Sequence, residues 1–208
     1  MKLVLFVEGY TERKALPDFF KRWLDPKLVQ PIGIKVVRFD GWRNYADEIA
    51  RKVELNCSGK VGADVVGAIG LLDLYGPTFY PRHMTAPEAR YDWAKEHLES
   101  KVSHPLFRQH FAVHETEAWL LAAPALLPKV VSGALPGRCD RPETVNFNEP
   151  PAKLLERLYR EKLQRNYKKV TDGANFFQKL SPEVAQAKCP YLKRLLEEML
   201  ALARQSVV

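Results

Sequence analysis

Apolar residues along the chain fall into short continuous runs separated by amphipathic stretches. Leu3 to Val7 is unbroken leucine, valine and phenylalanine, the pattern of a strand buried on both faces. It stops at Glu8-Gly9. From Thr11 to Leu24, Leu16, Phe19, Phe20 and Trp23 share one helical face, with Pro17 expected to disturb the first turns. Ile32 to Phe39 alternates and ends in Asp40-Gly41, predicting a strand and a turn. Asn44 to Leu55 reads as an amphipathic helix carrying Tyr45, Ile49 and Val53. Ala63 to Leu72 is a second continuous apolar run, ended by Asp73-Leu74-Tyr75-Gly76-Pro77. After a loop at Thr78–Thr85, Pro87 to Val102 predicts a helix with Tyr91, Ala94, Leu98 and Val102 inward. Phe107 to Val113 is a shorter strand that runs into His114-Glu115-Thr116-Glu117-Ala118-Trp119.

Strands alternating with helices of this length predict βαβ units and a mostly parallel sheet, an α/β core over residues 1–123. Residues 124–150 shift to proline, glycine and polar residues and read as a long connection with a turn at Leu135-Pro136-Gly137. From Pro151 to about Arg165 a helix turns Leu154, Leu155, Leu158 and Leu163 inward. Turns around Tyr167–Lys169 and Thr171–Gly173 follow, then a short helix at Asn175–Lys179. An amphipathic helix from Pro190 to Ala203, with Leu192, Leu195, Leu196, Met199 and Leu200 inward, ends a helical portion (124–208) expected to pack on the core. There are no internal repeats and no low-complexity tract.

In a parallel sheet the carboxyl ends of the strands lie along one edge, where ligands bind. Three of those ends carry acids: Glu8 with Glu12, Asp73, and Glu115 with Glu117. Gathered carboxylates repel unless a cation, a basic partner or a shared proton joins them. Oxygen donors suit Mg²⁺, or Mn²⁺ in its place. Each acid also has a plainer use. Gly9 fits a tight turn, Glu12 fits a helix's first turn, and one of Glu115 and Glu117 fits a helix cap. His114 reads as a structural histidine before a base, Trp119 and Tyr167 as packing residues, and Cys189 as a buried small hydrophobe.

Charge sharpens this picture. Thirty-two basic against twenty-five acidic residues give +7, and Pro151 to Lys169 alone holds seven basic and two acidic residues. Lys153, Lys168 and Lys169 are the candidates for phosphate contact, against the plainer reading of a solvated helix face. An acid cluster beside a basic flank is the layout of phosphoryl transfer on nucleic acid. The three cysteines, far apart and odd in number, give neither a disulfide framework nor a zinc spacing. No apolar run is long enough for a signal peptide or a membrane span, so a cytoplasmic protein away from membranes is expected. No glycine-rich phosphate loop follows a strand, which disfavours a nucleotide-binding domain.

The phrases Phe6-Val-Glu-Gly-Tyr-Thr-Glu12, Leu72-Asp-Leu-Tyr-Gly76 and His114-Glu-Thr-Glu-Ala-Trp119 resemble a Toprim-like family catalogued as domain of unknown function 4276, related to OLD-type Toprim nucleases. The tail is similar too, through Pro150-Pro-Ala-Lys153, Tyr167-Lys168, Gly173-Ala174 and Lys188-Cys-Pro190, so the resemblance covers nearly the whole chain. It implies a Toprim-like, Rossmann-type fold and metal-dependent cleavage of DNA or RNA. Glu8 would be the principal catalytic acid and Asp73 would bind Mg²⁺. Glu12 and one or both of Glu115 and Glu117 would complete the site. It further implies an effector that works with a separately encoded ATPase in anti-phage defence, and homodimers fit the same picture. One departure stands out: a Toprim nuclease has Asp-x-Asp where this chain has Asp73-Leu74-Tyr75. Either Glu115 and Glu117 replace the missing acid, or the chain is a catalytically silent module that binds nucleic acid or a partner protein.

Overall fold

The computed structural model describes residues 1–144 and 149–205, with the backbone alone at 138 and 139. Four strands form one sheet: β1 (Lys2–Val7), β2 (Gly33–Arg38), β3 (Val65–Asp73) and β4 (Phe107–Ala112). The order is β2-β1-β3-β4 and every pairing is parallel, with Val7 opposite Arg38 and Leu71, and Asp73 opposite Ala112. This register brings the ends of β1, β3 and β4 to one rim. Ten helices accompany the sheet among the described residues: α1 (Tyr10–Leu24), α2 (Gly41–Cys57), α3 (Gly59–Gly62), α4 (Pro87–Glu99), α5 (Glu117–Leu121), α6 (Lys129–Ser132), α7 (Pro151–Leu163), α8 (Ala174–Lys179), α9 (Pro182–Lys188) and α10 (Pro190–Gln205). The fold is therefore the expected α/β arrangement with C-terminal helices. None of the helices is long and apolar enough to cross a membrane.

β1 shows why the continuous apolar run was required. Leu3 to Val7 are all fully buried. Leu3, Leu5 and Val7 point into a core shared with α1, α8, α9 and α10, while Val4 and Phe6 point into a second core with α2 and α4. A strand covered on both faces has no polar side to display. The C-terminal helices close the first core directly: Leu192, Leu195, Leu196, Met199 and Leu202 of α10 pack there, and Leu200 is only partly buried. A third cluster joins Leu121 and Val131 to Leu154, Leu155, Leu158, Tyr159 and Tyr167.

Element boundaries depart from the sequence pattern where local sterics and packing compete. α1 runs straight through Pro17. An interior proline costs about 3 kcal/mol, but Leu16, Phe19, Phe20 and Trp23 are buried, and each contributes roughly 1.5–3 kcal/mol. α2 begins three residues before the expected Asn44, because Asn44 Oδ1 accepts the backbone N–H of Asp40 and draws the turn at Gly41 into the helix. α4 stops at Glu99, and Val102 is buried in the turn beyond it. The 124–150 connection holds α6 and short 3-10 turns, one starting at Gly137; its residues 145–148 lie outside the described residues. α9 has no counterpart in the sequence pattern. It is a seven-residue helix started by Ser181, whose hydroxyl accepts the Val184 N–H at 3.3 Å.

Candidate functional site

β1 ends and the chain turns through Glu8 and Gly9 into α1, which places Glu12 in the first helical turn. Gly9 is in the extended region (φ −128°, ψ −178°), so a tight turn is not the reason for glycine here. The reason is space: a Cβ at Gly9 would lie 2.6 Å from Glu12 Oε2. The missing side chain leaves room for the Glu12 carboxylate.

β3 and β4 finish side by side, and the chain beyond them stays in register. The Leu74 N–H donates to the Ala112 carbonyl at 2.9 Å and the Tyr75 N–H to the His114 carbonyl at 2.8 Å. His114 then takes φ 66°, in the left-handed region, which is uncommon for a residue with a Cβ. This kink sends Glu115, Thr116 and Glu117 back across the strand ends. The Thr116 N–H donates to Asp73 Oδ1 at 3.0 Å, and its hydroxyl lies 3.5 Å from Glu12 Oε1 and 3.4 Å from Glu117 Oε2. Thr116 thus touches acids from three separate elements.

The C-terminal helices complete the cluster in two ways. Glu115 Oε2 accepts the Ala152 N–H at the start of α7, at 2.8 Å, satisfying one of the donors a helix N-terminus leaves open. Lys169, at the head of a π-helical turn (Lys169–Gly173), reaches in from the opposite side. Its Nζ lies 3.4 Å from Glu115 Oε1 and 3.2 Å from Glu117 Oε2. Glu8, Glu12, Asp73 and Lys169 line a pocket of about 200 Å³ at the rim of the sheet. All five acids expected from the sequence are therefore neighbours of one ammonium group or of the pocket it lines.

Burial makes this arrangement electrostatically costly. The Asp73 carboxyl is held well above the usual carboxylate range, first by burial and then by Glu12, Glu117 and Glu115, with Lys169 opposing. Burial likewise pushes Glu117 up to about 7, again against the pull of Lys169. Glu8 is raised by burial and by Glu12. For Lys169 burial favours the neutral amine, but Glu117, Asp73 and Glu115 outweigh it and hold the ammonium charged. Five carboxyl groups thus gather around one partly buried cation, which pairs directly with Glu115 and Glu117, and their mutual repulsion favours protonation.

The donors are hard oxygens beside a pocket, the type that could hold Mg²⁺ or Mn²⁺. A closed coordination sphere is not assembled. Among the described residues no three His, Cys, Asp or Glu side chains are placed to hold one ion. Asp73 Oδ1 and both Glu115 oxygens are engaged by Thr116, Ala152 and Lys169.

The three basic candidates lie apart from one another in role. Lys169 belongs to the acid cluster. Lys153 is exposed on α7 and pairs with Glu156 at 3.0 Å. Lys168 is exposed, and its backbone N–H donates to Asp172 Oδ2 at 2.9 Å. Along the same stretch Arg157 pairs with Glu149 and Glu161, and Arg165 with Asp172. Those acids neutralise much of the stripe. Trp119 is fully buried against Phe19 (ring centroids 6.2 Å apart) and Tyr167 packs on Tyr159 at 5.3 Å, so both are packing residues. Cys189 is a fully buried hydrophobe. His114 is buried and faces a separate cavity of about 550 Å³ that Glu143 and Tyr191 also line; burial lowers its pKa to about 4.

Sequence reasoning missed Thr116, whose backbone and hydroxyl knit the acids together. Its only signal was its position between Glu115 and Glu117.

Solved structures similar to this chain include two OLD protein regions. The C-terminal region of the Burkholderia pseudomallei OLD protein is 20% identical, over 100% of this chain and 98% of that one, with a TM-score of 0.47. The C-terminal region of the Xanthomonas campestris pv. campestris OLD protein is 19% identical, over 99% and 98%, with a TM-score of 0.46. No curated protein matches the chain. Residues 7–200 match the family described as "Domain of unknown function (DUF4276)", and the chain belongs to that family.

Proposed function

We propose that the protein cleaves phosphodiester bonds of DNA or RNA with the help of Mg²⁺ or Mn²⁺. The observation that carries this reading is the gathering of oxygen donors: acids from three strand ends meet at one rim with one lysine among them. Glu8 and Asp73 would hold the ion, with Glu12, Glu115 and Glu117 as further donors. Such an ion, when bound, supplies charge to the phosphoryl oxygens and makes water more acidic. Glu8, half-buried at the pocket and already raised in proton affinity, is suited to take up and return a proton during attack. Lys169 presents the pocket's positive charge to a phosphate, and Thr116 keeps the Asp73 carboxylate oriented through its N–H. Lys153 and Lys168 would meet the substrate backbone further out.

A second reading has a specific observation in its favour. Lys169 already neutralises Glu115 and Glu117, and Tyr75 stands where the related nucleases carry a second aspartate. On that reading the chain is a silent module that binds nucleic acid or a partner such as a separately encoded ATPase, in a role consistent with defence against phage.

Calorimetric titration with Mn²⁺ separates the two. On the first reading the wild-type chain binds the ion, Glu8→Gln and Asp73→Asn lose that binding, and cleavage of a nucleic-acid probe disappears with it. Binding or cleavage that persists unchanged in both variants refutes the assignment.

A further inference from the structure

We infer that the loop after β3 forms a stacking platform for unpaired nucleotides next to the carboxylate pocket. The inference rests on reading that pocket as a phosphodiester site, and it names the substrate class: single-stranded nucleic acid. Two residues past Asp73, Tyr75 is 41% exposed. The turn that follows depends on Gly76 at φ 111°, where L side chains are rarely accommodated. Tyr75, Pro77, Tyr80, Arg82 and Arg90 line a groove of about 430 Å³. Asp73 lines the carboxylate pocket and Tyr75, two residues further along the chain, lines the groove. Tyr80 ties them more closely: its hydroxyl donates to the Leu74 carbonyl at 2.9 Å, and its pKa is raised by burial and by the charges of Glu8 and Asp73.

The groove combines what a single strand needs: an aromatic face for a base and cations for the flanking phosphates. Arg90 lies with its guanidinium 5.1 Å from the centre of the Tyr80 ring and is held across the loop by donating from Nε to the Met84 carbonyl at 2.8 Å. Arg82 is exposed, and among the described residues no carboxylate pairs with it. The contrast with α7 is direct, since Lys153 and Arg157 there are matched by acids. The loop is also anchored. Phe79 packs on Tyr80 at 4.8 Å and on Trp42 of α2 at 5.6 Å, so the platform is formed before any strand arrives. A duplex keeps its base faces stacked internally and offers none to Tyr75. Tyr75 thus supplies a base contact one step from the scissile phosphate.

Fluorescence anisotropy on the full chain, in EDTA so that nothing is cleaved, tests this. The probes are a labelled oligothymidine, an oligouridine of equal length, and the oligothymidine paired with its complement. Both single strands should bind with similar affinity and more tightly than the duplex. Tyr75→Ala should weaken single-strand binding about tenfold while Tyr75→Phe retains it, and Arg82→Ala should reduce the salt slope by about one. Three results would overturn the platform: Tyr75→Ala binding like wild type, Tyr75→Phe failing as Tyr75→Ala does, or a duplex preference. A more than tenfold preference for one sugar would also overturn it, since stacking does not read the sugar. If Tyr75→Ala binds normally while wild type cleaves with Mn²⁺, the groove falls and the phosphodiester reading stands. If wild type neither binds nor cleaves any probe, both fall.

Discussion

Glu117 is the acid whose protonation the fold controls most clearly, and Glu117→Gln turns that into a measurement. The side chain is 1% exposed, and burial pushes its pKa up to about 7 from an ordinary 4.5. Between those values the folded protein keeps a proton on Glu117 that the unfolded chain has released. Folding stability therefore falls as pH rises through this window. The rise from 4.5 to about 7 corresponds to about 3 kcal/mol, fully present below pH 4.5 and lost by a little above pH 7. Glutamine keeps the shape and removes the charge. Its stability should match wild type near pH 5 and exceed it by up to about 3 kcal/mol at pH 8, the pull of Lys169 being already included in the raised pKa. Urea unfolding in EDTA at several pH values reads the difference as a shift in midpoint at constant slope. In thermal unfolding it would be on the order of 6–12 °C for a chain of this size. Two results would refute the reasoning: a variant less stable than wild type at pH 8, or a difference that does not change with pH. The first would mean that the Lys169 contact outweighs the burial of the charge, the second that the two cancel.

The remaining expectations concern other parts of the same architecture. Glu115→Ala should lower stability by about 1–3 kcal/mol because the Ala152 N–H loses its acceptor, whereas Glu115→Gln should recover most of that in the same urea titration. Trp119→Ala, which empties the centre of the Phe19–Phe20–Phe177 cluster, should lose about 3–5 kcal/mol and be visible as a lower thermal midpoint. Lys168→Glu should leave the fold intact but weaken nucleic-acid binding and flatten its dependence on salt; an unchanged slope would return Lys168 to an ordinary solvated side chain.

The sheet was legible in the sequence because burial on both faces leaves no freedom. β1 and β3 had to be continuous apolar runs, so the polar residue that stops each one marked the rim. Glu8 and Asp73 could be read for that reason alone, whereas Glu115 follows β4, a strand that itself holds Arg108, Gln109 and His110. Lys169 could not. It enters the acid cluster from a turn more than fifty residues after Glu117, and on helical spacing it looked like the end of a basic stripe. The stripe also looked more basic along the chain than it is in space. Counting residues 151–169 left out Glu149 and Asp172 on either side, and these are the partners of Arg157 and Arg165. Pairing across a segment boundary is invisible to a windowed charge count. α9 escaped because seven residues cannot display a helical period, and the loop holding Tyr80 and Arg82 carried no periodic signal.

Gly9 separates two properties that usually change together. The atom an added methyl would meet is the tip of a flexible side chain, not backbone. Alanine at this position would therefore leave the folded chain nearly as it is and swing one carboxylate out of its place. Most substitutions near a cluster of acids disturb shape and charge at once. Here a single carbon can re-aim a charge in an otherwise unaltered molecule.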